Sequence, residues 1–211
     1  MSEEDFFNQL LVETKKQFQI SPVRNYQINN NKNWNYAVCE TPIQKEKPII
    51  FGLNWGGNDI SAQTVHPEFE KEKRDWSFHN NIKHYLQDYL HISNIEELNY
   101  SNLCFFRTPN TSYLKNEDWK LSFPLFEAYV NYIKPEFLIL LGSVGWSKLK
   151  SFGVISNEKK LIFNGIKKRS FGYYGEFLGA YKIGCVPHPQ AHISSEARKF
   201  IWDAISYKLL Q

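Results

Sequence analysis

Apolar residues in this chain fall either in continuous runs or in stripes three to four residues apart. Continuous runs are typical of strands covered on both faces, and helical stripes are typical of amphipathic helices. Runs and shorter apolar segments together predict four strands, within residues 48–54, 100–106, 136–142 and 181–189. The stripes predict helices over residues 2–19, 77–90, 122–133 and 195–210, with a short helix over 144–152. Segment 21–38 is rich in asparagine but carries three large aromatic residues, which predicts an ordered loop.

Strands that alternate with helices predict an α/β fold with a mostly parallel sheet. We expect a three-layer αβα sandwich around a central four-stranded, mostly parallel sheet. The 211 residues suit one domain spanning residues 1–211, with the helix and aromatic loop of residues 1–47 packed onto it.

Polar residues gather where three of the predicted strands end. Asn54 and Gly56 follow the first strand, Arg107 follows the second, and His188 follows the last, between two prolines. Asn102 lies just inside the second strand. Because ligands of open parallel sheets bind beyond the carboxyl ends of the strands, we expect these side chains to face one crevice. Taken singly, each asparagine is also typical of a turn or of a satisfied buried amide.

The chemistry available at this crevice is limited to an amide and an imidazole. The chain has no nucleophilic serine in a Gly-x-Ser-x-Gly turn and no metal-ligand spacing, and its glycines match neither phosphate-binding fingerprint. An amide can position a water molecule, and an imidazole can donate a hydrogen bond to a leaving group that gains negative charge. This pair suits a hydrolysis in which the leaving group departs as a stabilised anion.

Charge and cysteine content indicate the kind of partner and the cellular compartment to expect. Residues 1–145 carry 14 Lys+Arg against 18 Asp+Glu, whereas residues 146–211 carry 11 against 4. The basic C-terminal third indicates either a phosphate-facing surface or solvated lysines. Three widely spaced cysteines and an acidic N-terminus without an apolar signal segment predict a cytoplasmic protein. Since no apolar run reaches the ~18 residues of a membrane span, we expect no membrane partner.

Five segments, taken in order, resemble the motifs of the uracil-DNA glycosylase superfamily, closest to its mismatch-specific and single-strand-selective branches. "GLNWGG" is similar to the first motif of that family, and "WSFHNNIKHYL" to the segment that carries a base-stacking aromatic. "SNLCFFRTPN" resembles the strand whose asparagine reads the base, and "IKPEFLILLGSVGWSKL" the third strand and its helix. "PHPQAH" is similar to the final His-Pro motif. The resemblance covers residues 48–211.

The resemblance implies a role for each matching residue. Asn54 would hold the water that attacks C1′ of the sugar, and His188 would donate to the base carbonyl as the glycosidic bond breaks. Phe78 would stack on the extruded base and Asn102 would select it. The other residues expected to touch the base are Gly52, Leu53, Trp55 and Gly56. The residues expected to touch DNA are Arg107, Lys167, Lys168, Arg169, Gln190, His192 and Ser194, of which the last three lie in a loop expected to enter the base stack.

Three departures from the family pattern leave alternatives open. Trp55 replaces a proline of the first motif, and the last motif reads His-Pro-Gln-Ala-His instead of His-Pro-Ser. Asn54 also stands where some relatives carry aspartate, which predicts slower chemistry because an amide is not a general base. The target base is therefore uracil, hypoxanthine, another deaminated base, or none.

The resulting expectation is a monofunctional DNA glycosylase that acts on single-stranded or mismatched DNA, as a monomer without metal or cofactor. One alternative is a nucleic-acid-binding module of the same fold, in which Trp55 crowds out the water. The other is a hydrolase of small nucleotides.

Overall fold

The computed structural model describes residues 1–56, 77–165 and 169–211, with only the backbone of residues 77–81. The helices in these ranges are α1 (Glu3–Gln19), α2 (Pro22–Asn29), α3 (Ser77–Leu90), α4 (Asn116–Ile133), α5 (Ser143–Ser151) and α6 (Ser195–Leu210). The strands are β1 (Ile49–Asn54), β2 (Asn99–Cys104), β3 (Leu138–Leu141), β4 (Ile155–Asn164), β5 (Arg169–Phe177) and β6 (Tyr181–Val186). Among these residues, no helix is both long and apolar enough to cross a membrane.

The α/β class is confirmed, and the sheet is mixed. Its six strands run in the order β2-β1-β3-β6-β5-β4. β3 pairs in parallel with both β1 and β6. β5 pairs antiparallel with β6 and with β4, so β4 and β5 form a hairpin at one edge of the sheet. The sheet therefore has two strands more than the four expected from apolar runs.

Local capping explains where the predicted helices begin. In α1, Ser2 Oγ accepts the backbone N–H of Asp5 at 3.1 Å, and Asp5 accepts the backbone N–H of Ser2 in return. In α6, Ser194 Oγ accepts the N–H of Ala197 at 3.2 Å. The predicted bounds of α3 and α6 match the structure, and α5 is shifted by one residue.

Two further segments differ from the prediction. Residues 22–29 form a helix and not a loop, because Ser21 caps it and Pro22 fits the first helical turn. α4 begins six residues earlier than predicted. The buried Asp118 side chain accepts the N–H groups of Lys115 and Val23 at 2.7 and 2.9 Å, which stabilises the start of this helix.

The described chain divides into two compact units. The first unit comprises residues 1–45, 52–56 and 99–134, and the second comprises residues 46–51, 77–98, 135–165 and 169–211. The core of the first unit is built from large aromatic side chains of its helices and loops, including Phe7, Phe18, Phe106, Phe126 and Tyr129. In the second unit α6 packs against β6, where the absence of a side chain at Gly184 makes room for Ile205.

Candidate active site

Asn54 ends β1 in the first unit, and its amide is held in one orientation. Its Nδ2 atom donates to Thr108 Oγ1 at 2.9 Å, to the Thr108 carbonyl at 3.2 Å and to the Trp55 carbonyl at 3.3 Å. Carbonyl oxygens only accept hydrogen bonds, so the atom that faces them must be the nitrogen. Thr108 Oγ1 in turn donates to the Asn110 carbonyl at 2.7 Å, which leaves its lone pairs for the Asn54 amide.

This arrangement leaves the Asn54 side-chain carbonyl oxygen as an acceptor that the bonds of Nδ2 do not use. Within the described ranges, Asn54 Oδ1 accepts no hydrogen bond, and the residue is half-buried. An acceptor without a protein donor can accept an O–H of a bound water. The amide is therefore suited to orient a water, although it cannot remove the proton from that water.

Trp55 is an anchor for the segment that carries Asn54. Its side chain is 3% exposed, and the indole N–H donates to the Ala37 carbonyl at 2.7 Å. The ring also meets Tyr100 edge to face, with centroids 6.0 Å apart. The Trp55 carbonyl accepts the backbone N–H of Thr108 at 3.1 Å. The tryptophan therefore fixes the backbone after β1, and its indole is occupied by protein contacts.

Asn102 and Gly52 lie against each other in the first unit. Asn102 is 4% exposed. A methyl group added at Gly52 would lie 2.5 Å from Asn102 Oδ1, which is well inside van der Waals contact. Glycine at position 52 is thus required for the present position of the Asn102 amide. Of the neighbouring residues expected to touch the base, Leu53 is half-buried and Gly56 is exposed.

Arg107 is a half-buried cation beside Trp55. Its guanidinium lies 5.7 Å from the Trp55 ring centroid, and its backbone N–H donates to the Asn35 carbonyl. In the part of the chain that the structure describes, its buried Nε has no hydrogen-bond partner. Burial lowers the pKa of Arg107, which is nevertheless an obligate cation. A buried donor without a partner is suited to an anionic ligand such as phosphate.

His188 follows β6 in the second unit, and the hydrogen bond to its Nδ1 atom indicates its tautomer. Nδ1 accepts the backbone N–H of Gln190 at 3.2 Å. A neutral imidazole that accepts at Nδ1 carries its proton on Nε2. Burial lowers the pKa of His188, and the positive charge of Arg198 lowers it further. The ring is therefore a neutral imidazole near pH 7, and its Nε2–H is a hydrogen-bond donor.

Arg198 holds the loop that carries His188, a role with no signal in the sequence. Its two terminal nitrogens donate to the His188 carbonyl at 3.0 Å and to the Ala191 carbonyl at 2.7 Å. The guanidinium lies 5.4 Å from the ring centroid of Tyr85, which stacks on Trp202. Arg198 is one turn into α6, so the helix positions the loop through this side chain.

The other residues expected to contact DNA are placed as follows. Gln190, His192 and Arg169 are exposed in the second unit, and Ser194 is occupied as the cap of α6. Lys167 and Lys168 lie outside the described residues, as does the side chain of Phe78, which belongs to α3. The structure thus groups Gly52, Asn54, Trp55, Asn102 and Arg107 in one unit, and His188, Gln190, His192, Ser194 and Arg169 in the other.

The cysteines are not suited to covalent chemistry. Cys39, Cys104 and Cys185 are buried free thiols. Burial raises the pKa of all three, that of Cys104 to about 12, so they stay protonated at neutral pH. Across residues 1–56, 77–165 and 169–211, no cluster of three or more His, Cys, Asp or Glu side chains could hold a metal ion.

No known protein-family model matches the chain, and no curated protein matches it either.

Proposed function

We propose that the protein is a monofunctional DNA glycosylase that hydrolyses the N-glycosidic bond of uracil or another deaminated base flipped out of DNA. The proposal includes a uracil-DNA glycosylase-like core of four mostly parallel strands. The observation that carries it is the fixed amide of Asn54, whose oxygen is presented as an acceptor.

The water is the nucleophile in this mechanism. One O–H of the water donates to Asn54 Oδ1, which directs an oxygen lone pair at C1′ of the sugar. The new C–O bond forms as the C1′–N bond breaks, and the bonding electrons leave with the base. Because the amide cannot accept the proton of the water, that proton passes to the departing base or to solvent. The rate therefore depends strongly on how well the leaving base is stabilised as an anion.

His188 supplies that stabilisation. Its Nε2–H donates to the base carbonyl on which negative charge grows, and the neutral ring needs no proton transfer to do so. The backbone N–H of Gln190 holds Nδ1 as an acceptor and so keeps the proton on Nε2. The mechanism requires Asn54 and His188 to act on one sugar–base bond from opposite sides.

Recognition of the base and of the strand involves other residues. Asn102, fixed against Gly52, would hydrogen-bond the edge of the base, and Phe78 would stack on it. Arg107 would contact a phosphate through its Nε–H, which has no hydrogen-bond partner among the described residues. Extruding a nucleotide costs a few kcal/mol, which favours single-stranded or mismatched targets. The excess of basic residues in 146–211 would hold the backbone, with binding that weakens as salt rises.

The environment of Trp55 favours hydrolysis over binding alone. One alternative was a module that only binds nucleic acid, because the Trp55 side chain would take the place of the water. The indole is instead buried and bonded to the Ala37 carbonyl. This contact removes the main sequence argument for an inactive module.

The test is a panel of single-stranded and mismatched oligonucleotides that carry uracil or hypoxanthine, incubated with the protein and then with alkali. We expect strand breaks at the damaged base that are lost in Asn54→Ala and His188→Ala. The matched controls are Asn29→Ala and His84→Ala, which change exposed residues and should behave as wild type. Retention of DNA without breaks would instead identify a binding module. Base release from free nucleotides alone would identify a nucleotide hydrolase.

A further inference from the structure

The hairpin of β4 and β5 presents a face of mixed aromatic and basic residues. The pairs Lys160–Tyr173 and Ile162–Phe171 lie directly opposite each other in the antiparallel register. Since side chains two residues apart on a strand share a face, these four residues and Arg169 line the same side of the hairpin. We call this side the hairpin face.

The opposite side of the hairpin is covered by α6. Phe163 packs against Phe200 with ring centroids 5.7 Å apart. A methyl group added at Gly172 would lie 2.5 Å from Ile201, so α6 approaches the backbone closely there. The hairpin face is therefore the side that α6 does not cover.

The hairpin face is covered at one end and open at the other. At the inner end, Trp146 of α5 stacks on Tyr173 with centroids 5.4 Å apart and ring planes 15° from parallel. Farther out, Ile162 is 45% exposed and Phe171 is 36% exposed. Because Ile162 and Phe171 are cross-strand neighbours, they form one exposed apolar patch on this face.

The charge next to these rings is positive. Lys160 Nζ lies 4.1 Å from the centroid of Phe171 and 5.9 Å from that of Tyr173. Arg169 is exposed and precedes Phe171 by two residues on the same strand. The nearby carboxylate of Glu158 is neutralised, because it pairs with Lys150 at 2.6 Å and accepts from the indole of Trp146. Within the described ranges Lys160 and Arg169 form no ion pair, although Lys160 lies close enough to Glu158 to lower the pKa of that carboxyl.

We propose that the hairpin face binds single-stranded nucleic acid, with a base stacked on Phe171 and phosphates held by Lys160 and Arg169. Every base has a flat π surface that stacks on an aromatic ring, whatever the sequence. Arg169 lies two residues, about 7 Å, from Phe171 along β5. Lys160 of β4 already lies against the Phe171 ring, so the base stacks on the face of the ring that Lys160 does not cover. Bases inside a duplex are already stacked and cannot reach such a ring. This binding goes beyond base removal and does not depend on it.

The experiment measures the affinity of the full chain for labelled oligonucleotides of undamaged bases, by fluorescence anisotropy across a range of salt concentrations. The probes are oligo-dT, oligo-rU and a duplex of the same length. Undamaged probes separate this test from the proposed base removal, which is followed by base release from uracil and hypoxanthine oligonucleotides. If the protein released no base but still bound the undamaged probes, that result would count against the proposed base removal and not against binding by the hairpin face.

We expect Phe171→Ala to weaken binding of single strands about fivefold to a hundredfold, the range for one base–aromatic stack. Phe171→Leu keeps the apolar packing and should lose the same factor. We expect Lys160→Ala to lower the slope of log affinity against log salt by about 0.7, the value for one phosphate contact on a single strand. Phe171→Leu should leave that slope unchanged.

The matched controls are Tyr207→Ala and Lys120→Ala, an exposed aromatic of α6 and an exposed lysine of α4 that lies outside the basic segment 146–211. Wild-type affinity in both controls, with losses in the hairpin variants, supports the proposal. The oligo-dT and oligo-rU arms show whether DNA, RNA or both are bound, and binding of either one supports it. Wild-type affinity in Phe171→Leu and Lys160→Ala, or duplex bound as tightly as single strands, would overturn it.

Discussion

Arg198 provides a sharp test of how the His188 loop is held, because its two hydrogen bonds can be removed without touching the loop itself. Arg198→Ala removes the donors to the carbonyls of His188 and Ala191. Hydrogen bonds that involve a charged group contribute roughly 1.5–3 kcal/mol each. The side chain is half-buried, so we take the lower end, which gives about 3 kcal/mol for the two.

If all of that free energy serves to position the imidazole, the rate of base release falls about a hundredfold, since each ~1.4 kcal/mol is tenfold. Part of it serves only to order the loop, so we expect a loss of about tenfold to a hundredfold. The measurement is single-turnover base release with DNA at saturating concentration. Lys199→Ala, at the next position of α6 and exposed, is the matched control.

Arg198 also affects how the rate of base release depends on pH. Burial, and then the charge of Arg198, lower the pKa of His188. Protonation of Nδ1 would oppose the N–H of Gln190, so the neutral ring is the active form and activity is lost as pH falls through its pKa. Removing Arg198 raises the pKa of His188. The rate of base release therefore begins to fall at a higher pH than in the wild type. Arg198→Lys keeps the positive charge but loses the paired donors. We expect it to lower the rate of base release with little change in the pH at which that rate falls. If Arg198→Ala released the base at the wild-type rate and with the wild-type pH dependence, the reasoning would be refuted.

Three further substitutions probe the first unit. Thr108→Val removes an acceptor of the Asn54 amide and should slow base release about fivefold, equal to the ~1 kcal/mol of one hydrogen bond; Thr108→Ser should not, and equal rates in both would contradict the role. Gly52→Ala forces Asn102 to move, so we expect a loss of about 1–3 kcal/mol in unfolding free energy and altered selectivity between uracil and hypoxanthine; unchanged urea unfolding and selectivity would count against it. Trp55→Phe leaves a buried carbonyl without its donor and should lower the unfolding free energy by about 1–3 kcal/mol, whereas wild-type urea unfolding would show that the indole bond is dispensable.

The sequence revealed those elements whose own residues carry a strong periodic signal. α3 and α6 have clear apolar stripes, β1 and β3 are continuous apolar runs, and β6 is an apolar segment ended by two prolines, so their positions could be predicted. The hairpin of β4 and β5 has no such run, because one face of it is open and its strands mix lysine with aromatics. α2 has only eight residues and depends on its Ser21 cap, which a stripe does not reveal.

The candidate site was predictable only in part, for a related reason. Asn54, Asn102 and His188 stand out because a polar residue at the end of an apolar strand is conspicuous in sequence. Arg198 is a helix residue among other polar residues, and its role depends on a contact across the fold to the His188 loop. The orientation of the Asn54 amide likewise depends on Thr108, 54 residues away along the chain.

The measurement that tests the central claim most directly is single-turnover release of uracil and of 5-fluorouracil from otherwise identical single-stranded oligonucleotides. Fluorine makes the departing base a more stable anion, so the base needs less help from His188. The account predicts that His188→Ala loses much less rate on 5-fluorouracil than on uracil, while Asn54→Ala loses the same factor on both. Equal losses for His188→Ala on the two bases would contradict a role for that imidazole in stabilising the leaving base.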